Sequence, residues 1–114
     1  MELTDIEINA FRTGDCQTMS DLIDENATYY LDGMKAPSKD MIIGFCNRIQ
    51  RPFEKPSNVT TNYFPISNKS AYTIRIMEFA KEGNVYKKEI VTKIWVKGED
   101  GWKISHLHST IKKL

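Results

Sequence analysis

From Asn58 onward the chain alternates in period two, with β-branched and aromatic residues recurring on every second position. Three turn signals, "SNKS", "KEGN" and "GEDG", cut this half into four runs, so the pattern predicts four strands over about 58–66, 71–80, 85–97 and 102–111. Consecutive strands joined by such short turns lie antiparallel, which makes the C-terminal half a meander. Pro65 cannot donate to a ladder and marks the first strand as an edge or a bulged one. The third run is long for a strand, so it is expected to bend.

The first half carries the other periodicity. Leu3, Ile6, Ala10 and Phe11 recur at helical spacing and Gly14 ends that run. Asp15 is placed to cap a second short helix whose Cys16, Met19, Leu22 and Ile23 share a face. The segment "ATYYLDG" reads as a short aromatic strand closed by a glycine turn. A third helix then starts after Ser38, with Met41, Ile42, Phe45 and Ile49 as its apolar face, and Pro52 and Pro56 terminate it. Helices first and a meander second is the signature of an α+β domain, with helices covering one face of a curved antiparallel sheet. At 114 residues the chain has room for a single domain spanning 1–114.

Strand parity sorts the sheet into two unlike faces, because alternate residues point to opposite sides. Ile74, Ile76, Ile90, Ile94 and Val96 form one face that is almost wholly apolar. Arg75, Met77, Lys93 and Trp95 lie on the other, and unbroken alternation along the last strand adds His106 and His108 to it. Both faces carry too much apolar area to meet water, so one should cover the helices and the other a second subunit. The mixed face admits two readings: the lining of a ligand pocket, or a core with charged heads reaching its rim.

Charge balance excludes several partners. Sixteen Lys and Arg against fifteen Asp and Glu leave a net charge of +1, and no basic cluster marks a nucleic-acid or membrane surface. No apolar run has the length of a membrane span, and the opening "MELTDIEINAF" is acidic, so a cytoplasmic protein is expected. Cys16 and Cys46 lie far apart without metal-type spacing, and in that compartment they are expected to be reduced and packed.

The order of these segments resembles the nuclear transport factor 2-like superfamily over the whole chain. Within it the chain is similar to SnoaL-like proteins and to the association (hub) domain of calcium/calmodulin-dependent protein kinases, through "TIRIMEF", "TKIWV" and "WKISHLH". The resemblance implies a cystatin-like cone, a bent sheet wrapped on three N-terminal helices, with a cavity at its mouth and a homodimer or larger assembly through the outer sheet face. It also implies an anion site: Arg75 stands where the hub carries one arginine and Lys93 where it carries a second. Lys93 keeps the charge but loses the planar fork. A further hub arginine corresponds to Ser109, a departure that weakens the likeness of the ligand. Ketosteroid isomerases share the superfamily, yet their base corresponds to Leu31, their donor tyrosine to Glu7 and their second donor to Thr92 or Lys93. That reaction is therefore not expected.

The functional expectation is a small-ligand-binding module for an anionic or polar-aromatic molecule. Arg75 and Lys93 would attract it, His106 and His108 orient it, and Tyr29, Met77 and Trp95 line the site. An alternative is a SnoaL-like isomerase, lyase or hydrolase using His106 or Asp32, and another is a pure assembly module. A two-histidine metal site would need a third ligand from Cys16, Cys46, Glu89 or Asp32, so neither metal nor cofactor is expected.

Overall fold

The structure, a computed structural model, describes residues 2–36 and 38–114. Two helices come first, α1 (Glu2–Thr13) and α2 (Cys16–Asp21), followed by strands β1 (Ile23–Leu31) and β2 (Met34–Ala36). Helix α3 (Lys39–Arg48) then leads into β3 (Asn58–Ser67), β4 (Ser70–Lys81), β5 (Asn84–Gly98) and β6 (Gly101–Lys113). The four C-terminal strands fall where the alternation placed them. One six-stranded sheet results, in the order β2-β1-β6-β5-β4-β3. It is mixed rather than purely antiparallel, because β1 returns beside β6 in parallel. No helix among the described residues is long and apolar enough to cross a membrane.

Local chemistry accounts for the joints. Asp32 and Gly33 both have positive φ, as do Glu82 and Gly83, so the β1–β2 and β4–β5 hairpins close through two-residue turns of the kind that suits twisted strands. The first also adds β2, a strand without its own signal in the sequence. Asp15 caps α2 by accepting from the Thr18 amide at 3.2 Å and the Thr18 hydroxyl at 2.7 Å. These two bonds hold its carboxyl below the usual carboxylate range. Ile23, expected to end the second helix, instead begins β1 and is fully buried.

Two helices present faces other than the expected ones. On α3 the buried residues are Ile42 and Cys46, while Met41 and Phe45 are 48% and 45% exposed. Phe45 stacks on Phe11 at 6.1 Å at the edge of the helical layer. On α1 the buried positions are Thr4, Glu7 and Ala10; of the expected stripe Leu3, Ala10 and Phe11 pack on the core and Ile6 is turned outward. A polar ridge faces the sheet because Glu7 has a partner there.

Cys16 and Cys46 are joined in a disulfide with their Cα atoms 5.9 Å apart, which corrects the expectation of two reduced thiols. Sequence spacing could not show this, since α2 and α3 bring the two residues together only when packed on the sheet. The disulfide sits within the main core, among Ala10, Met19, Ile23, Ile42, Trp95 and Ile104.

The feature with most consequence for function is a β-bulge in β6. Trp95 pairs with Ile104, but Ile94 pairs with His106, so Ser105 is an extra residue against β5. One extra residue reverses the facing of everything after it. Ile104 faces the helices before the bulge, and Leu107 and Ser109 do so after it.

Candidate functional site

The inner face of the sheet, under the helices, gathers Tyr29 from β1, Arg75 and Met77 from β4, Glu89, Lys93 and Trp95 from β5, and Ser109 from β6. Helix α1 lies over it and contributes Thr4 and Glu7. The expectation that Arg75, Met77, Lys93 and Trp95 share a face matches this register. The expectation that His106 and His108 join them is corrected: the Ser105 bulge turns both imidazoles to the outer face. There His106 Nδ1 lies 2.6 Å from the Thr28 hydroxyl, and Tyr30 packs near both rings at 5.8 and 6.3 Å.

Lys93 is already neutralised. Its ammonium forms an ion pair with Glu7, and both side chains are more than nine-tenths buried. Burying either charge alone would cost several kcal/mol, roughly 3–5, so neither is free to serve a ligand without leaving the other exposed to that cost. Helix α1 is thereby tied to β5 across the cone. Glu7 was legible in the sequence only as an acid inside an otherwise apolar stripe at Leu3, Glu7 and Ala10.

Arg75 is different. It takes part in no ion pair among the described residues, and its Nε is buried without a hydrogen-bond partner. Burial lowers its pKa from the ordinary arginine value, against the opposite pull of Glu7, Glu89 and Asp5. The guanidinium stays charged, since the group titrates far above neutrality. A buried, charged donor aimed at no acceptor is what an anionic or hydrogen-bond-accepting guest would satisfy.

Tyr29 adds a neutral phenol to the same face. Burial, and after it the negative charges of Glu89, Asp32 and Glu7, raise its pKa above the usual tyrosine value. Glu89 accepts from the Ser109 hydroxyl at 3.3 Å, so the serine that departs from the hub pattern serves an internal acid. Thr4 Oγ1 and Trp95 Nε1 are also buried without partners among the described residues. Trp95 itself is fully buried in the core, which makes it a wall behind the site and not a contact surface.

The acid–base alternative loses its geometry. Asp32 lies in the exposed β1–β2 turn, where its Oδ1 accepts from the Ile111 amide at 2.8 Å. It holds the sheet edge together, and His106 lies on the other side of the sheet. No cluster of metal-ligating side chains occurs among the described residues.

Strand β3 is the edge of the sheet and pairs with β4 beside Arg75 and Met77. Every residue of that edge strand is exposed, including Val59 and Tyr63, whose register with Met77 and Thr73 puts them on the inner face. Two shallow surface depressions lie elsewhere, one of about 370 Å³ beside Cys16 and one of about 400 Å³ between Lys69 and Lys97.

No family model matches the chain, and no curated protein matches it. Solved structures do. The association domain of C. elegans CaMKII superposes with a TM-score of 0.69 at 18% identity, covering 95% of this chain and 89% of that one. A protein of unknown function from Silicibacter pomeroyi, described as NTF-2-like, reaches 0.74 at 15% identity, covering 97% and 91%. A candidate ketosteroid isomerase from Shewanella frigidimarina reaches 0.73 at 18%, covering 95% and 91%. The fold is the nuclear transport factor 2-like, cystatin-like cone. At these identities the likeness concerns architecture alone.

Proposed function

We propose that this cone is a small-ligand-binding module whose interior takes a small molecule bearing a carboxylate or similar acceptor on an aromatic or apolar body. One observation carries the reading: the buried Arg75 Nε lacks a partner among the described residues, on the same strand face as Met77 and next to the exposed edge strand β3. Lys93 and Glu7 fix the floor of the site and Arg75 supplies its anchor. Phenylpropionate is a suitable probe because it joins one carboxylate to one ring. It should raise the melting temperature of the protein, and Arg75→Ala should abolish that rise. An unchanged rise in the variant would remove Arg75 from the site.

The outer sheet face supports a second element of the proposal, a homodimer or larger homo-oligomer. Ile90, Val96 and Phe64 are exposed there, and Phe64 stacks on Tyr72 at 4.7 Å to extend the patch. Sedimentation at micromolar protein should give at least a dimer mass; a monomer at every concentration would overturn it. The cytoplasmic setting expected above belongs to the same proposal, and the disulfide sharpens what it demands. In a reducing compartment a cystine persists only when shielded, or else it turns over by exchange.

A further inference from the structure

The helical layer holds an arrangement that the ligand site does not use. Cys16 and Cys46 are joined, but their surroundings differ. Cys46 is 0% exposed, and its Sγ accepts a hydrogen bond from Arg51 Nη2 at 3.5 Å. Cys16 is 7% exposed and lines the depression of about 370 Å³, together with Asp15, Gln17, Ser20 and Asn47. Arg51 is locked in place. It donates twice to the Phe11 carbonyl, at 3.0 and 2.7 Å, and packs against the adjoining Phe11 and Phe53 rings at 5.6 and 5.3 Å. No carboxylate lies within ion-pair distance of it among the described residues, so its charge is left to the carbonyls and the sulfur.

We propose that Cys16–Cys46 is a polar thiol-exchange site, with Cys16 as the sulfur attacked from the depression and Cys46 as the leaving group held by Arg51. The thiolate of a small polar thiol attacks Cys16 Sγ and forms a new S–S bond to it. The Cys16–Cys46 bond breaks, and its electron pair departs on Cys46 as a thiolate facing the guanidinium. One disulfide is consumed and one is made, so no oxidant or reductant is required. The reverse attack by Cys46 on Cys16 expels the external thiol and restores the starting state. A buried thiolate is costly to form, and a fixed cation at hydrogen-bond distance offsets that cost on Cys46 alone. The same asymmetry decides which sulfur receives the external group. The depression is lined by an acid, Asp15, whose oxygens are held by Thr18, and by neutral amides and a hydroxyl. That lining favours a thiol carrying an ammonium group over an anionic one.

Cysteamine is the probe, applied to the oxidised full chain under native conditions, with peptide mapping of the quenched products. The expected result is a mixed disulfide on Cys16, and Arg51→Met should slow its formation about tenfold while Arg51→Lys slows it less. Addition to Cys46, or equal rates in the three proteins, would overturn the assignment. A rate that equals global unfolding measured under the same conditions would overturn it as well. Because Arg51→Met also loses packing, the Cys16→Ser variant provides a check that is independent of exchange. Its free Cys46 should ionise at lower pH with Arg51 present than in the Cys16→Ser/Arg51→Met pair, and equal ionisation would sink the proposal.

Discussion

Trp95 and Val96 are neighbours on β5, yet the first is 0% exposed and the second 43%. They stand for the two faces of one sheet. The inner face carries Arg75, Glu89 and Lys93 and is nonetheless the buried one, while the outer face carries Ile74, Ile76, Ile90 and Ile94 and is left partly bare. Hydrophobicity alone does not decide which side of a sheet becomes core. What decides is which side the helices can reach, and a charge is tolerated there when it brings its partner. Glu7 on α1 is that partner for Lys93. The outer face has no helix, so its apolar residues are available to another copy of the chain.

The comparison is most severely tested at Ser105. Deleting it removes the bulge but leaves Ile104 opposite Trp95 and His106 opposite Ile94, so Leu107 and Ser109 stay inward and both histidines stay outward. Such a chain should still unfold cooperatively by circular dichroism, because a regular alternation now carries the same two faces. Loss of cooperative folding in the deletion variant would mean that the assigned register of β6 on β5 is wrong.

The largest loss of stability is expected at the buried pair. Lys93→Met should cost about 3–5 kcal/mol in urea unfolding, because it strands the Glu7 carboxylate, and Glu7→Leu added to it should restore most of the loss. Failure of the second change to recover stability would show that Lys93 matters for more than neutralising Glu7.

On the outer face the effect should move from stability to association. Ile90→Ser is expected to change monomer stability by about 1 kcal/mol or less, since the side chain is already substantially exposed. It should weaken self-association measured by sedimentation. In the same spirit His106→Gln should leave the phenylpropionate-induced rise in melting temperature unchanged, and loss of that rise would return the histidine to the site.

The smallest expected effect is at alkaline pH. The folded Tyr29 phenol titrates above its unfolded value, so below the ordinary tyrosine range both states hold the proton and the stability contribution is intact. As pH rises past that range, the unfolded chain releases the proton first and stability falls. Tyr29→Phe should flatten this alkaline loss in urea titrations at pH about 9 and about 11. An identical slope in the two proteins would place Tyr29 outside a desolvated environment.

Much of this architecture was written locally. Alternation placed the four C-terminal strands, turn residues at Glu82-Gly83 and Asp32-Gly33 closed two hairpins, and Asp15 capped α2 as its spacing promised. Arg75 was legible as an inner-face residue because its neighbours on β4 run in period two. His106 and His108 were misplaced for the complementary reason. A bulge is a relation between two strands, and "WKISHLH" carries no mark of which residue β5 will leave unpaired. Glu7 with Lys93 and Cys16 with Cys46 are likewise pairs separated by 86 and 30 positions, invisible until packing sets their distance.

Sequence by itself therefore determined the elements and their order, since helix and strand periods, caps and turns act over a few residues and need only the chain's own backbone. Tertiary structure decided which face is inside, which charges neutralise one another and which cysteines meet. Each of those depends on register between distant segments, where a shift of one residue exchanges the core for the surface.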